Sequence, residues 1–244
     1  MSEHKRVIII GGTSGVGYAV AERLRDQCQL LVLGRNASRL SEMKQLGYNV
    51  ASFDGLKDDW REEWQADVVI FSAGCGFFEE AIEVTDAQIE QMCRTNIEMP
   101  MKLTSRIARH MIAQGGGQLL YIGSQAGKVA TPKASVYAAT KHALIGYTNA
   151  LRMELAPHNV KVSVVQPGPI DTPFIDLADE SGSYKQSLGR WLLSPEQVAD
   201  AVVHIMRTQK RETNVPKLMF WSSKLYNLMP SVVETLGRSF FNKK

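Results

Sequence analysis

The stretch Arg6-Val7-Ile8-Ile9-Ile10-Gly11-Gly12-Thr13-Ser14-Gly15-Val16-Gly17, running on into Tyr18-Ala19-Val20-Ala21-Glu22-Arg23-Leu24, decides how this chain folds. Residues 6–10 are an unbroken apolar run, the pattern of a parallel strand buried on both faces. From Tyr18 onward the apolar residues recur at helical spacing. Glycines between a strand and a helix let the backbone come close to a phosphate. The first N–H groups of the helix, with their positive partial charge, favour an anion there. Strand, glycine turn and helix together predict a dinucleotide pyrophosphate site on Gly11, Thr13, Ser14, Gly15, Val16 and Gly17. A tight βα turn without a ligand is the alternative.

The next segment bears on which nucleotide is held. Gln29-Leu30-Leu31-Val32-Leu33 reads as the second strand, and Gly34-Arg35-Asn36 follows it. Sites selective for NAD usually place a carboxylate at the end of this strand, on the ribose 2′-hydroxyl. Gly34 supplies none, and the Arg35 guanidinium suits a 2′-phosphate in charge and fork geometry. NADP(H) is therefore the predicted cofactor, with NAD(H) the alternative if Arg35 is only a solvated loop charge.

Further strands are predicted near residues 48–53, 67–71, 117–123, 160–165 and 217–220. Thr85-Asp86-Ala87-Gln88 is a capping box that opens a long helix carrying Asn96, with a kink expected at Pro100. Gly115-Gly116-Gly117 ends that helix, and another runs from about Ser135 to Ala156. No linker, repeat or low-complexity stretch interrupts the alternation. The fold class is α/β: one Rossmann-like doubly wound domain over residues 1–244, with a parallel sheet of about seven strands and helices on both faces.

Composition narrows the function classes. A chain of 244 residues, 44% hydrophobic and 22% charged, is an ordinary globular protein. Its formal charge of +3 is spread out and does not suggest nucleic acid. Cys28, Cys75 and Cys93 form no CxxC and cannot all pair, which points to reduced thiols and a cytoplasmic setting. The five histidines lack ligand spacing, so no metal is expected. Met1-Ser2-Glu3-His4-Lys5 leads straight into a strand, so no secretory signal is expected.

Tyr137 and Lys141, in Tyr137-Ala138-Ala139-Thr140-Lys141, lie one helical turn apart on one face. An ammonium beside a phenol favours the phenolate and draws its pKa toward neutrality, where tyrosine can serve as general acid or base.

With these residues in place, the chain resembles the short-chain dehydrogenase/reductase family from Val7 to about Met206. The glycine pattern falls at Gly11, Gly15 and Gly17. Ile10 stands where the family usually has threonine, and Ser72-Ala73-Gly74 stands where it has Asn-Ala-Gly. The resemblance implies that Asp54, with Gly55, contacts the adenine end. It makes Pro167, Gly168, Ile170 and Thr172 the segment that embraces the nicotinamide. It also implies a catalytic set of Asn96, Ser124, Tyr137 and Lys141, Ser124 lying thirteen residues before Tyr137. By the same resemblance, hydride passes between nicotinamide and a small-molecule carbonyl or alcohol. Tyr137 exchanges the proton, Ser124 holds the oxygen, Lys141 grips the ribose, and Asn96 positions a relay water. A homo-dimer or homo-tetramer is implied, built in part on the helix that bears Tyr137. A catalytically silent dinucleotide sensor would be expected to lack one of these groups. An epimerase or dehydratase relative would be expected to carry a longer substrate domain.

Residues 174–193 fall where the family keeps a substrate lid. Its centre, Asp179-Glu180-Ser181-Gly182-Ser183, is polar, and its ends carry Phe174, Ile175, Leu177, Trp191 and Leu192. With Cys75-Gly76-Phe77-Phe78, these favour an apolar or aromatic substrate, unless they only close the lid on the core. Over about 221–241, Leu225, Leu228, Met229, Val232, Val233, Leu236 and Phe240 recur at helical spacing, with Lys224, Arg238, Lys243 and Lys244 around them. Packing against the core or a sister subunit is the preferred reading, and contact with a membrane surface is the alternative.

Overall fold

The computed structural model describes residues 5–179 and 182–241. Residues 1–4, 180–181 and 242–244, among them Lys243 and Lys244, therefore lie outside the described residues. The strands are β1 (Arg6–Ile10), β2 (Gln29–Gly34), β3 (Val50–Ser52), β4 (Val68–Phe71), β5 (Gly117–Ile122), β6 (Val160–Pro167) and β7 (Glu212–Val215). They form one sheet in the order β3-β2-β1-β4-β5-β6-β7, and every pairing is parallel. The helices are α1 (Gly15–Leu24), α2 (Ala37–Gln45), α3 (Asp86–Cys93), α4 (Met99–Ala113), α5 (Ser135–Leu155), α6 (Pro173–Ala178), α7 (Ser183–Leu188), α8 (Pro195–Thr208), α9 (Leu218–Leu228) and α10 (Pro230–Phe241).

The apolar run of β1 has a direct structural reason. Val7 and Ile9 point into a core with Val20 and Leu24 of α1 and Val198 and Val202 of α8. Ile8 and Ile10 point the other way, against Leu103 and Ile107 of α4 and Leu144 and Leu151 of α5. Each such side chain contributes about 1.5–3 kcal/mol by burial, so a strand apolar on both faces is most stable at the centre of a covered sheet. The chain winds from β1 out to β3, then returns to the far side of β1 with β4. The ends of β1 and β4 therefore flank the topological switch point, where a doubly wound sheet leaves a crevice.

Two boundaries differ from the sequence expectation. The seventh strand is Glu212–Val215, and residues 217–220 instead open α9. The apolar run Leu218-Met219-Phe220-Trp221 is too short for periodicity to separate strand from helix. The true strand is concealed because it is polar: Asn214 is buried by bonds from Gln125 and Lys128. The helix carrying Asn96 is also interrupted. α3 opens on the Thr85–Gln88 capping box, but Arg94–Glu98 form a π-turn before α4. Pro100 has no N–H to give the Asn96 carbonyl four residues back, so regular α-bonding fails at that turn.

The C-terminal segment is two helices, α9 and α10. Leu225, Leu228, Met229 and Val232 are exposed, so packing against the chain's own core does not account for them. The side chains of Leu236, Arg238 and Phe240 are outside the described residues. Among the described residues, no helix is long and apolar enough to cross a membrane.

Candidate active site

A cleft of about 980 Å³ opens at the carboxyl ends of the strands. Its walls include all the residues expected at the site except Gly17 and Asn96. Gly17 lies inside α1 and Asn96 is buried behind the wall.

One half of the cleft is a backbone cradle. Gly11 has φ +83° and Gly15 φ +51°, a region that favours glycine. A Cβ at Gly11 would also lie 2.6 Å from the Ala73 nitrogen, so the β1 and β4 turns meet only because this residue has no side chain. Val16 and Gly17 are buried in the first turn of α1. Ser14 is the N-cap of α1 and makes no side-chain capping bond, so its hydroxyl is available at a helix N-terminus. The Thr172 methyl lies 3.3 Å from where a Gly15 Cβ would sit, which brings the Pro167–Thr172 segment over the glycine turn.

At the outer end, Gly34 backs directly onto the Thr13 side chain, which leaves no room for any side chain at 34. Arg35 is exposed on the same rim. Arg39 Nε donates to the Thr13 carbonyl at 3.4 Å, bracing the glycine turn from α2. Asp54 Oδ1 accepts from the Leu56 N–H at 3.1 Å. Gly55 lies against Met99 and Leu103, 2.9 Å from each had it a Cβ. The residues present thus fit a pyrophosphate flanked by a nucleoside: a bare backbone cradle, a helix N-terminus and a cation at the rim.

The other half holds the titratable groups. α5 carries Tyr137 and Lys141 on its inner face, both buried, with Lys141 Nζ 5.8 Å from the Tyr137 ring centre. Lys141 donates to the Ile122 carbonyl at 3.2 Å. Burial pushes its pKa down to about 8. Burial also pushes the Tyr137 phenol up to about 12, and a hydrogen bond from Ser124 opposes this only in part. That direction is opposite to the expectation from Lys141 alone, because removing a phenolate from water outweighs its neighbours.

Ser124 lies two residues beyond β5 and caps the helical turn Gln125–Gly127, its Oγ accepting from the Ala126 N–H at 3.0 Å. Its own N–H is held by Gln166 Oε1 at 2.8 Å. Asn96 is clamped from three sides. Its Oδ1 accepts from the Cys75 N–H at 3.0 Å, and its Nδ2 donates to the Cys75 carbonyl at 2.8 Å and to Thr140 Oγ1 at 3.0 Å. Thr140 in turn donates to the Tyr137 carbonyl at 2.8 Å, so Asn96 ties the loop after β4 to the turn of α5 that bears the tyrosine.

Around the phenol is an aromatic wall. Phe78 lies 5.5 Å and Phe174 5.7 Å from Tyr137, ring centre to ring centre, and Tyr184 lies 5.1 Å from Phe78. The described part of the segment where a lid is expected carries α6 and α7, and Phe174 and Tyr184 line the cleft. Its polar centre is partly structural, since the buried Asp179 carboxylate accepts from the Tyr184 N–H at 2.7 Å.

Gln166, Tyr184 and Met219 were not expected at the site. For Gln166 a signal exists: it is the one amide in the otherwise apolar run Val164-Val165-Gln166-Pro167. Nothing local marks Tyr184 or Met219, which reach the cleft through the paths of α7 and α9.

The description "short chain dehydrogenase" belongs to the family model that matches residues 5–181. The uncharacterized oxidoreductase YbbO of Escherichia coli strain K12 is 32% identical over 248 residues, covering 94% of this chain and 92% of the relative. The uncharacterized oxidoreductase SERP2049 of Staphylococcus epidermidis is 30% identical over 229 residues, covering 87% and 95%. Among solved structures, a closed form of serine dehydrogenase complexed with NADP+ superposes with a TM-score of 0.78 at 24% identity. It covers 86% of this chain and 93% of its own, a likeness of fold.

Proposed function

This chain belongs to the short chain dehydrogenase family, and on that premise we propose an NADP(H)-dependent oxidoreductase that interconverts a carbonyl compound and its alcohol. The observation that carries the reading is the meeting of Ser124, Tyr137 and Lys141 on one wall of the cleft, beside a glycine cradle.

Gly11, Thr13, Ser14, Gly15, Val16 and Gly17 would hold the pyrophosphate, Arg35 the 2′-phosphate, and Asp54 and Gly55 the adenine end. Ser72, Ala73, Gly74, Pro167, Gly168, Ile170 and Thr172 would hold the nicotinamide end. When bound, the cofactor supplies or accepts the hydride. The rest of the chemistry belongs to side chains. Ser124 orients the substrate oxygen toward the Tyr137 phenol. A phenol with a pKa of about 12 keeps its proton at neutral pH. As the carbonyl oxygen gains negative charge it becomes far more basic than a phenolate, so the Tyr137 proton moves to it downhill. Lys141 stabilises the phenolate left behind and returns a proton to it. Asn96 is a positioning residue through Cys75 and Thr140. The relay expected of it would use its backbone carbonyl, which Pro100 leaves without an α-helical donor.

Absence of a carboxylate at the end of β2 and the Gly34–Thr13 contact support NADP(H) over NAD(H). The aromatic wall supports an apolar or aromatic substrate. Three unpaired cysteines support a reducing, cytoplasmic compartment. A homo-dimer or homo-tetramer remains the family expectation. The test is a panel of ketones, aldehydes and alcohols with NADPH and NADH, followed at the nicotinamide absorbance. Turnover of apolar carbonyls with NADPH preferred is expected. A clear preference for NADH would remove the role of Arg35, and tight cofactor binding with no turnover of any substrate would indicate a silent sensor.

A further inference from the structure

We propose that α9 is a docking face for an anionic lipid surface, set at the mouth of the cleft. The helix is amphipathic in the unusual sense. Its inner side is already used: Met219 lines the cleft and packs on Gly168, Ser223 is buried, and Phe220 lies under Lys128 with 5.7 Å from Nζ to the ring centre. Its outward side is nevertheless apolar. Leu218, Trp221, Leu225 and Leu228, spaced i, i+3, i+7 and i+10, are 70%, 70%, 54% and 80% exposed. Exposed leucine occurs singly on any surface, but a contiguous helical stripe with a tryptophan calls for an apolar partner.

Charge selects that partner. α9 carries Lys217 at its start and Lys224, both exposed, against one carboxylate, that of Glu234 on α10, which is engaged by the Tyr226 hydroxyl at 3.0 Å. Lysines beside an exposed leucine and tryptophan stripe match a surface that is apolar below and negatively charged above. Placement gives the contact a purpose. Leu218 belongs both to the stripe and to the cleft wall, and the half-exposed Trp191 lines the same cleft. A lipid surface against α9 would therefore meet the opening of the cleft, and a lipophilic carbonyl would reach Tyr137 without crossing water. This last step rests on the proposed reductase activity; the docking itself does not.

The test is flotation of the full chain with phosphatidylcholine vesicles, with and without about 30% phosphatidylserine. Two variants accompany it: Trp221→Ser/Leu225→Ser/Leu228→Ser, none of which lines the cleft, and Lys217→Glu/Lys224→Glu. Flotation with the anionic vesicles is expected. Partition should fall by at least about tenfold in the triple variant, from lost apolar insertion. The charge variant should lose the preference for phosphatidylserine, which for the native chain fades with added salt. Absence of flotation by the full chain, or equal flotation of all forms, overturns the proposal. So does a change of oligomeric state in the triple variant on gel filtration, which would assign the stripe to a second copy. If the triple variant does not fold, the charge variant decides. Because the readout is binding, loss of reductase activity on every substrate would sink the enzymatic reading and leave this result intact.

Discussion

Replacing Lys141 by methionine should stabilise the protein at neutral pH while ending its activity. Lys141 is only 6% exposed, and burial depresses its pKa from 10.5 to about 8. At pH 7 the ammonium is charged in both folded and unfolded chains, so its burial costs the fold about 3 kcal/mol, at 1.36 kcal/mol per pKa unit. Methionine fills similar space without the charge, but it forfeits the bond to the Ile122 carbonyl, about 1 kcal/mol. The net expectation at pH 7 is a gain of about 2 kcal/mol.

The pH dependence is the stricter check. Between pH 8 and 10.5 the unfolded lysine holds its proton and the folded one does not. The unfolded state then binds more protons, and native stability rises with pH through that window. Lys141→Met lacks this rise, so its advantage should shrink by about 3 kcal/mol across the window and end slightly negative. Urea unfolding of both proteins at several pH values from 7 to 10.5 would measure it. A Cys75→Ser background is advisable, since that neighbouring thiol also titrates at high pH. A stability difference that does not change with pH, or a variant less stable at pH 7, would show that burial of the Lys141 charge does not burden the fold.

Tyr137→Phe should cut turnover at least about a hundredfold and leave NADPH affinity unchanged, as read by stopped-flow and fluorescence titration; near-native turnover would reject the proton donor. Arg35→Ala should weaken NADPH about tenfold or more and leave NADH unaffected; equal losses for both would make Arg35 a general surface charge. Asn96→Ala removes three hydrogen bonds and strands the Cys75 N–H and carbonyl, so urea unfolding should show a loss of about 2–4 kcal/mol. A loss confined to turnover, with stability intact, would return Asn96 to a purely catalytic role.

Much of the architecture could be read along the chain because the signals are local. An apolar run such as Val7–Ile10 states its burial on both faces, glycines at 11 and 15 state a turn that tolerates positive φ, and Thr85 with Gln88 states a helix start. The spacing of Ser124, Tyr137 and Lys141 is likewise local information. β7 was misread because Glu212–Val215 is held by a polar network contributed by Gln125 and Lys128, eighty-odd residues away. The break at Arg94–Glu98 was only half visible, as a proline with no indication of which turn would yield.

Residue order alone determined where the backbone must turn, which faces must be apolar and that a glycine turn joins β1 to α1, since these depend on neighbours within one or two turns. The sign of the Tyr137 pKa shift, the three-way clamp on Asn96 and the outward aim of the α9 stripe were decided only in three dimensions. Each depends on how much water the surrounding elements exclude, and that is a property of packing between segments remote in the chain.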